Sequence, residues 1–243
     1  MKKSKYKNVL LKLSGEALMG DIGYGIDPNA LIYLADQLYQ VKSNFELKIS
    51  IVVGGGNIWR GADYEQEGMD RSVADSAGML GTMINALALQ DSLERKNVPV
   101  RTLSALSTPS VAEPFIRRRA LRHLEKGRVV ILAGGTGNPY MTTDTAAAQR
   151  SLELNSELLI MSKNNADGIY NTDPNKNNNA TKFDHLTPIE ALGKRIKALD
   201  STALSLCMDN DLPIIVFDIF NKGSLESVLL GNKVGTLISN SVE

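Results

Sequence analysis

"VVILAGGTGNPYMTTDTAAAQ", residues 129–149, carries the clearest fold signal in the chain. It opens on an apolar run, passes through Gly134, Gly135 and Gly137, and continues into a helix start. A strand, a glycine loop and a helix N-terminus in that order present bare backbone N–H groups to an anion. A P-loop would close such a loop with lysine, G-x-x-x-x-G-K-[ST]. Here the loop ends in hydroxyls and an acid, Thr142, Thr143 and Asp144. The loop has the form of a phosphate cradle without its cation, so the positive charge has to come from another part of the chain.

The same unit recurs along the sequence. Apolar runs stand at 8–14, 48–53, 98–104, 127–133, 157–162, 212–217 and 234–239. Most run apolar without strict alternation, the pattern of strands buried on both faces of a parallel sheet. Helical patterns lie between them near 28–43, 72–96, 113–126, 143–154, 200–210 and 224–230. Asp27-Pro28 reads as an N-cap with proline at the first helical position. Alternating strands and helices predict an α/β fold, a mainly parallel sheet covered on both faces. Two polar stretches, 57–75 and 171–182, are expected as loops, the second exposed and mobile.

Composition limits the function classes. The 243 residues, 43% hydrophobic, suffice for one large α/β domain. With 27 basic and 27 acidic residues the formal net charge is zero, which gives no field for nucleic acid or a membrane surface. One cysteine, Cys207, excludes a disulfide framework and fits a reducing, cytoplasmic compartment. The opening "MKKSKYKNVLLKLSG" is basic and then apolar, but Lys12 interrupts it too early for a signal peptide. Cys207 and the basic run 117–128 read as a core residue and a solvated helix face. His123 and His185 have no nucleophile pattern beside them.

In open α/β sheets ligands bind beyond the carboxyl ends of the strands, so the segments just after the strands make up the candidate site. "KLSGEAL" comes after the first strand, "GGGNIWRG" after the second, "GGTGNPYMTTD" after the fourth and "SKNNADGIYNTDP" after the fifth. The set contains Lys12, Arg60, Asp144, Lys163, Asp167 and Asp173. Lys12, alone, would read as an edge-strand lysine snorkelling to water. Beside two further glycine-bearing strand ends it reads as the missing cation. The GGG turn, alone, is most often a plain turn, but Arg60 nearby suits phosphate oxygens. An acid in an anion cradle repels its ligand unless a cation intervenes, so Asp144 is expected to pair with Lys12 and hold it.

With these strand ends assembled, the chain resembles the bacterial-type UMP kinases of the amino-acid kinase superfamily. "LLKLSGEAL" (10–18), "VVGGGNIWRG" (52–61), "GMDRSVADSAGMLGTMINALALQDSL" (68–93), "GGTGNPYMTTDTAAAQR" (134–150) and "ADGIYNTDP" (166–174) carry the resemblance, which spans the chain. It implies a three-layer αβα sandwich of the acetylglutamate kinase-like type, a single domain over 1–243 with the acceptor site mainly in the N-terminal part and the ATP site mainly in the C-terminal part. It implies the reaction ATP + UMP → ADP + UDP with Mg²⁺ carried by ATP, in pyrimidine nucleotide biosynthesis. It also implies a homohexamer, feedback inhibition by UTP and, in many members, activation by GTP.

By resemblance, Lys12, Leu13, Ser14 and Gly15 match the segment on the ATP phosphates, and Gly56 and Arg60 further ATP contacts. Asn164, Tyr170 and Asp173 match positions around the ATP base and ribose. Gly55 matches a UMP contact and Asp75 the acid that recognises the UMP sugar. The UMP loop is matched by Thr136, Gly137, Asn138, Pro139, Tyr140, Met141, Thr142 and Thr143. Asp144 matches the acid that organises the catalytic lysine; Asp200 matches another acid of the site, serving Mg²⁺, nucleotide or lysine. Gly20, Asp21, Ile22, Gly23, Tyr24 and Gly25 resemble the GTP-responsive segment. Two other readings stand beside this one: a kinase for a carboxylate or carbamate acceptor, and a non-catalytic nucleotide sensor.

Overall fold

The computed structural model describes residues 2–163, 167–172, 174, 176, 177, 179–194, 196 and 199–241. In chain order its elements are β1 (Asn8–Leu13), α1 (Gly15–Met19), α2 (Pro28–Asn44), β2 (Lys48–Val53), α3 (Gly61–Gln66), α4 (Arg71–Glu94), β3 (Val100–Ser104) and β4 (Glu113–Pro114). They continue with α5 (Arg117–Glu125), β5 (Val129–Ala133), α6 (Thr143–Glu153), β6 (Leu158–Lys163), β7 (Ile169–Tyr170), β8 (Lys182–Phe183), β9 (His185–Leu186) and α7 (Pro188–Gly193). The last are α8 (Ser201–Asp209), β10 (Ile214–Asp218), α9 (Ser224–Leu229) and β11 (Thr236–Ile238).

Among the described residues, one sheet runs β4-β3-β5-β2-β1-β6-β10-β11-β9. From β4 to β10 every neighbouring pair is parallel; β11 runs antiparallel to β10. β7 and β8 form a separate small hairpin. Side chains alternate across each strand, so one strand feeds two cores. Val9, Leu11 and Leu13 of β1 join the core under α2, α4 and α9, whereas Leu10 joins the core under α5, α6, α7 and α8. Helices therefore cover both faces, as the α/β pattern predicts.

Local sequence explains the helices that matter for the site. Asp27 caps α2 by accepting from Asn29 N–H at 2.9 Å, with Pro28 next. α6 has small residues against the sheet, Ala146, Ala147 and Ala148, all fully buried. Without larger side chains there, its first turn lies close over β1. Its N-cap is Thr142, whose hydroxyl accepts from Asp144 and Thr145 N–H.

Two expectations change. The 57–75 stretch is not a loop throughout: it contains α3 and the first turn of α4, capped by Asp70. α3 has no buried residue, so no apolar periodicity marks it in sequence. The helix expected over 113–126 begins at Arg117, because Glu113 and Pro114 pair with β3 instead.

Candidate active site

β5, β2, β1 and β6 are consecutive neighbours in the sheet, so their carboxyl ends line up. Those ends carry Gly134–Gly137, Gly54–Gly56, Ser14–Gly15 and Lys163. The chain moves to one side of β1 for β2 and β5 and to the other for β6 and β10, which opens a crevice at the centre.

Lys12 lies in the central strand and not at an edge. Alternation turns its side chain to the face that Leu10 occupies, beneath α6. There its Nζ lies 2.8 Å from Asp144 Oδ1, with both side chains largely buried. The two residues are 132 apart in sequence; the fourth strand–loop–helix unit carries the acid to the first strand's lysine. Lys163, at the end of β6, joins this charge cluster. Its amine is held below the ordinary lysine pKa, first by burial and also by the Lys12 charge, with Asp144 and Glu16 opposing. Two lysines and Asp144 thus converge at the head of the crevice, with the Glu16 carboxylate within electrostatic reach.

The glycines at the strand ends have unequal jobs. A Cβ on Gly15 would approach Asn57 Oδ1 to 2.5 Å, and one on Gly55 would approach Gly78 O to 2.5 Å. At these positions glycine allows backbone to pack on backbone. Gly56 differs: a Cβ there would meet only the Arg60 side chain at 3.7 Å. Leu13 is fully buried in the core, so only its backbone faces the turn, and its carbonyl accepts from Gly54 N–H at 2.8 Å. Ser14 caps α1 through Ala17 N–H. Arg60 donates to Glu16 at 2.5 Å and to Gly56 O at 3.2 Å, and remains half exposed.

Beside this charged head is a small open cleft of about 130 Å³. Gly55, Gly56 and Asp75 line it, as do Thr136, Asn138, Met141, Thr142 and Thr143 of the 134–143 loop. Gly137 backs onto Ala105, and Gly134, Gly135 and Gly137 all take positive φ. Tyr140 also does, at φ 64°, an uncommon conformation for a non-glycine residue. Its N–H donates to Asp75 Oδ2 at 2.7 Å, and the same oxygen accepts from Arg71 Nε at 2.9 Å. Asp75 therefore fastens the loop to α4 across the mouth of the cleft.

Asp200 caps α8 by accepting from Ala203 N–H at 2.7 Å and also accepts from the hydroxyls of Thr142 and Thr145. It ties the N-termini of α6 and α8 together, one shell out from the Lys12–Asp144 pair. Tyr170 donates to Asp167, which also holds Lys182 at 2.8 Å. Asn164 and Asp173 lie outside the described residues. Gly20 and Asp21 line a different pocket with Asp27, Tyr33 and Asp218, while Ile22 and Tyr24 are exposed. Gly23 makes no close approach. Of the other candidates, His123 is bound to Glu113 and Arg128, and Cys207 is buried with its thiol pushed up to about 12.

The sequence assigned no role to Lys163, Trp59, Gly61, Gly78, Met79 or Thr82. Lys163 has the signal that marked Lys12, a lysine where an apolar strand ends. Gly78, Met79 and Thr82 line the cleft from α4, Gly61 from the start of α3 and Trp59 from just before it; inside the helical pattern the α4 residues look like ordinary packing residues.

The sequence model of the amino acid kinase family matches residues 7–218. The chain belongs to the amino acid kinase family. A crystal structure of UMP kinase from Bacillus anthracis is similar to it at 40% identity, covering 98% of this chain and 97% of that one, with TM-score 0.93. UMP kinase from Ureaplasma parvum matches at 37% identity over 98% and 100% of the two chains, with TM-score 0.90. Uridylate kinase from Archaeoglobus fulgidus, 22% identical with TM-score 0.71, shares the fold.

Proposed function

We propose that this chain is a UMP kinase, transferring the γ-phosphoryl group of ATP to UMP to give UDP and ADP. The observation that carries the reading is the Lys12–Asp144 pair at the head of a crevice between two glycine-bearing strand ends, beside a cleft lined by hydroxyls. Phosphoryl transfer asks little covalent chemistry of a protein and much positioning and charge stabilisation. UMP lies in the cleft formed by the N-terminal part of the chain and the 134–143 loop, with Thr136, Thr142 and Thr143 near its phosphate and Asp75 at its sugar. ATP approaches over the ends of β1, β6 and β10, its phosphates at Ser14, Gly15 and Gly56 and its base and ribose toward Asn164, Tyr170 and Asp173.

Lys12 and Arg60 neutralise charge on the transferring group, and Asp144 keeps Lys12 aimed. Lys163 adds a second cation at the same point. The UMP phosphate is already an anionic nucleophile at neutral pH, so no general base is needed. Asp200 acts through Thr142 and Thr145, holding the α6 N-terminus in place.

Mg²⁺ would be carried by ATP and would supply charge neutralisation on its phosphates. Among the described residues no group of three or more His, Cys, Asp or Glu could hold a metal. Asp144 is engaged by Lys12, and Asp200 by two hydroxyls and an N–H. Such donors fit a metal that arrives on its substrate better than one caged by protein.

The same reading carries a homo-oligomer, a homohexamer by family likeness. In support, Val73, Ala77, Leu80, Ile84 and Leu87 succeed one another at alternating four- and three-residue steps along α4, and Val73, Leu80 and Ile84 are about half exposed. That is a continuous apolar seam of the kind helices bury against a partner. UTP inhibition, GTP response through Gly20–Gly25 and a cytoplasmic setting belong to this proposal as well. No described helix is long and apolar enough to cross a membrane.

An assay of ADP release with UMP, CMP, dUMP, aspartate and acetylglutamate as acceptors tests the proposal. UMP alone or UMP foremost is the expected result. Turnover only with a carboxylate acceptor supports the other kinase reading, and tight UMP binding without ADP release supports the sensor.

A further inference from the structure

Behind the phosphate-facing turns lies a buried amide pair. Asn57, which ends the GGGN turn, is 2% exposed, and Asn85, on α4, is fully buried. Asn57 Nδ2 donates to Asn85 Oδ1 at 3.0 Å, and Asn85 Nδ2 returns a bond to Asn57 Oδ1 at 2.6 Å. Each amide spends its other N–H on a backbone carbonyl. Asn85 donates to Gly54 O at 2.7 Å, and Asn57 donates to Gly25 O at 2.7 Å. Gly25 N–H closes a ring by donating to Asn57 O at 2.9 Å.

We infer that Asn57 and Asn85 are positioning residues for phosphoryl transfer, clamping the Gly54–Gly56 turn in register with the Ser14–Gly15 turn. Three observations support a role beyond filling space. The clamp joins three separate segments: the second strand end, the long helix that walls the cleft, and the end of the exposed 20–25 loop. It also backs directly on the donor turn, since a Cβ on Gly15 would meet Asn57 Oδ1 at 2.5 Å and Gly56 N at 2.8 Å. And every amide N–H is satisfied, the condition under which a buried polar network fixes one arrangement. An apolar pair of the same volume would fill the space, but would not specify which carbonyls sit opposite which amides.

The inference rests on the kinase reading, because positioning has meaning only for a transfer between two bound phosphates. A displacement of reacting groups by about 1 Å costs roughly a hundredfold in rate. The clamp holds turns that touch both nucleotides, so its loss falls on kcat more than on either KM.

The test compares Asn57→Ala, Asn85→Ala and the double variant with Asn8→Ala. Asn8 is a similar buried amide at the opposite end of β1, donating to Leu154 O and Asn155 O at 2.7 and 2.9 Å. All are assayed well below their melting temperatures, with amide exchange measured at Gly25. The clamp variants should lose at least about tenfold in kcat, and the double variant no more than the worse single one, because the pair acts as a unit. Gly25 N–H should exchange at least about tenfold faster in Asn57→Ala. Asn8→Ala should melt lower and keep its kcat.

Wild-type kcat in the clamp variants, or a loss in Asn8→Ala equal to theirs, overturns the inference and leaves the kinase reading standing. A wild-type protein that transfers no phosphoryl group overturns both, and unchanged Gly25 exchange removes the clamp itself whatever the activity.

Discussion

Replacing Asp144 by asparagine keeps the size of the side chain and removes its charge. The consequences stem from the 2.8 Å contact between Lys12 Nζ and Asp144 Oδ1, whose side chains are 9% and 15% exposed. At an effective dielectric near 20, opposite charges that close attract by roughly 6 kcal/mol before desolvation is counted. Breaking a buried pair by removing one partner costs about 3–5 kcal/mol, since the remaining charge is left uncompensated. Neither group is fully buried, so the lower end, about 3 kcal/mol, applies. Lys163 worsens the imbalance, because two lysines then share the site with only Glu16 left to oppose their charge. For a chain of this length each kcal/mol lowers Tm by about 2–4 °C, so Asp144→Asn should melt about 6–12 °C lower. Catalysis should suffer separately. Lys12, no longer held, moves off the transferring group, and kcat should fall roughly a hundredfold while both KM values stay within about threefold. Calorimetry and a coupled ADP-release assay at about 25 °C, far below either Tm, measure the two effects. A variant that melts lower but turns over at the wild-type rate would refute the aiming role and leave Asp144 a stability residue.

Two neighbouring residues give further tests. Asp75→Ala frees Tyr140 N–H and Arg71 Nε, opens the acceptor side of the cleft, and should raise KM for UMP while leaving KM for ATP unchanged; a change confined to ATP would overturn that assignment. Lys163 has a folded pKa below its unfolded one, so burying its charge destabilises the fold at every pH below the folded value. In the window from that lowered pKa up to the ordinary lysine value, about 10.4, the unfolded chain binds more protons and stability gains as pH rises. Lys163→Met should flatten that alkaline rise in urea-unfolding free energy; an unchanged slope contradicts a perturbed amine.

Much of this architecture was legible because the physics is local. A parallel strand buried on both faces has to be a short apolar run, and each of the seven such runs became a strand. Lys12 and Asp144 could be paired from sequence because a charged residue inside an apolar strand and an acid inside an anion loop are each costly alone. Other features left no such mark. α3 has no buried residue, so it shows no period; its Glu65 is paired with Arg71 of the next helix, α4. The two-residue strands β4, β7, β8 and β9 are too short to show alternation. Resemblance matches Asp200 to the site but leaves its role open among Mg²⁺, nucleotide and lysine, because its partners Thr142 and Thr145 lie 55 and more residues away. The GGG turn suggested backbone bared to a ligand, yet Gly54 and Gly55 are glycines because Gly15, Gly78 and Thr82 pass so close. Only the packing of distant segments shows that.

The central claim is that a lysine on the first strand supplies the charge missing from the 134–143 loop. The kcat of Lys12→Ala with saturating ATP and UMP tests it most directly. Losing a charge contact made in the transition state costs roughly 2.7–4 kcal/mol, which at 1.36 kcal/mol per tenfold is a fall of about a hundredfold or more. The account predicts that fall in a protein that still folds and still binds both nucleotides. A folded Lys12→Ala enzyme turning over UMP at close to the wild-type rate would contradict it.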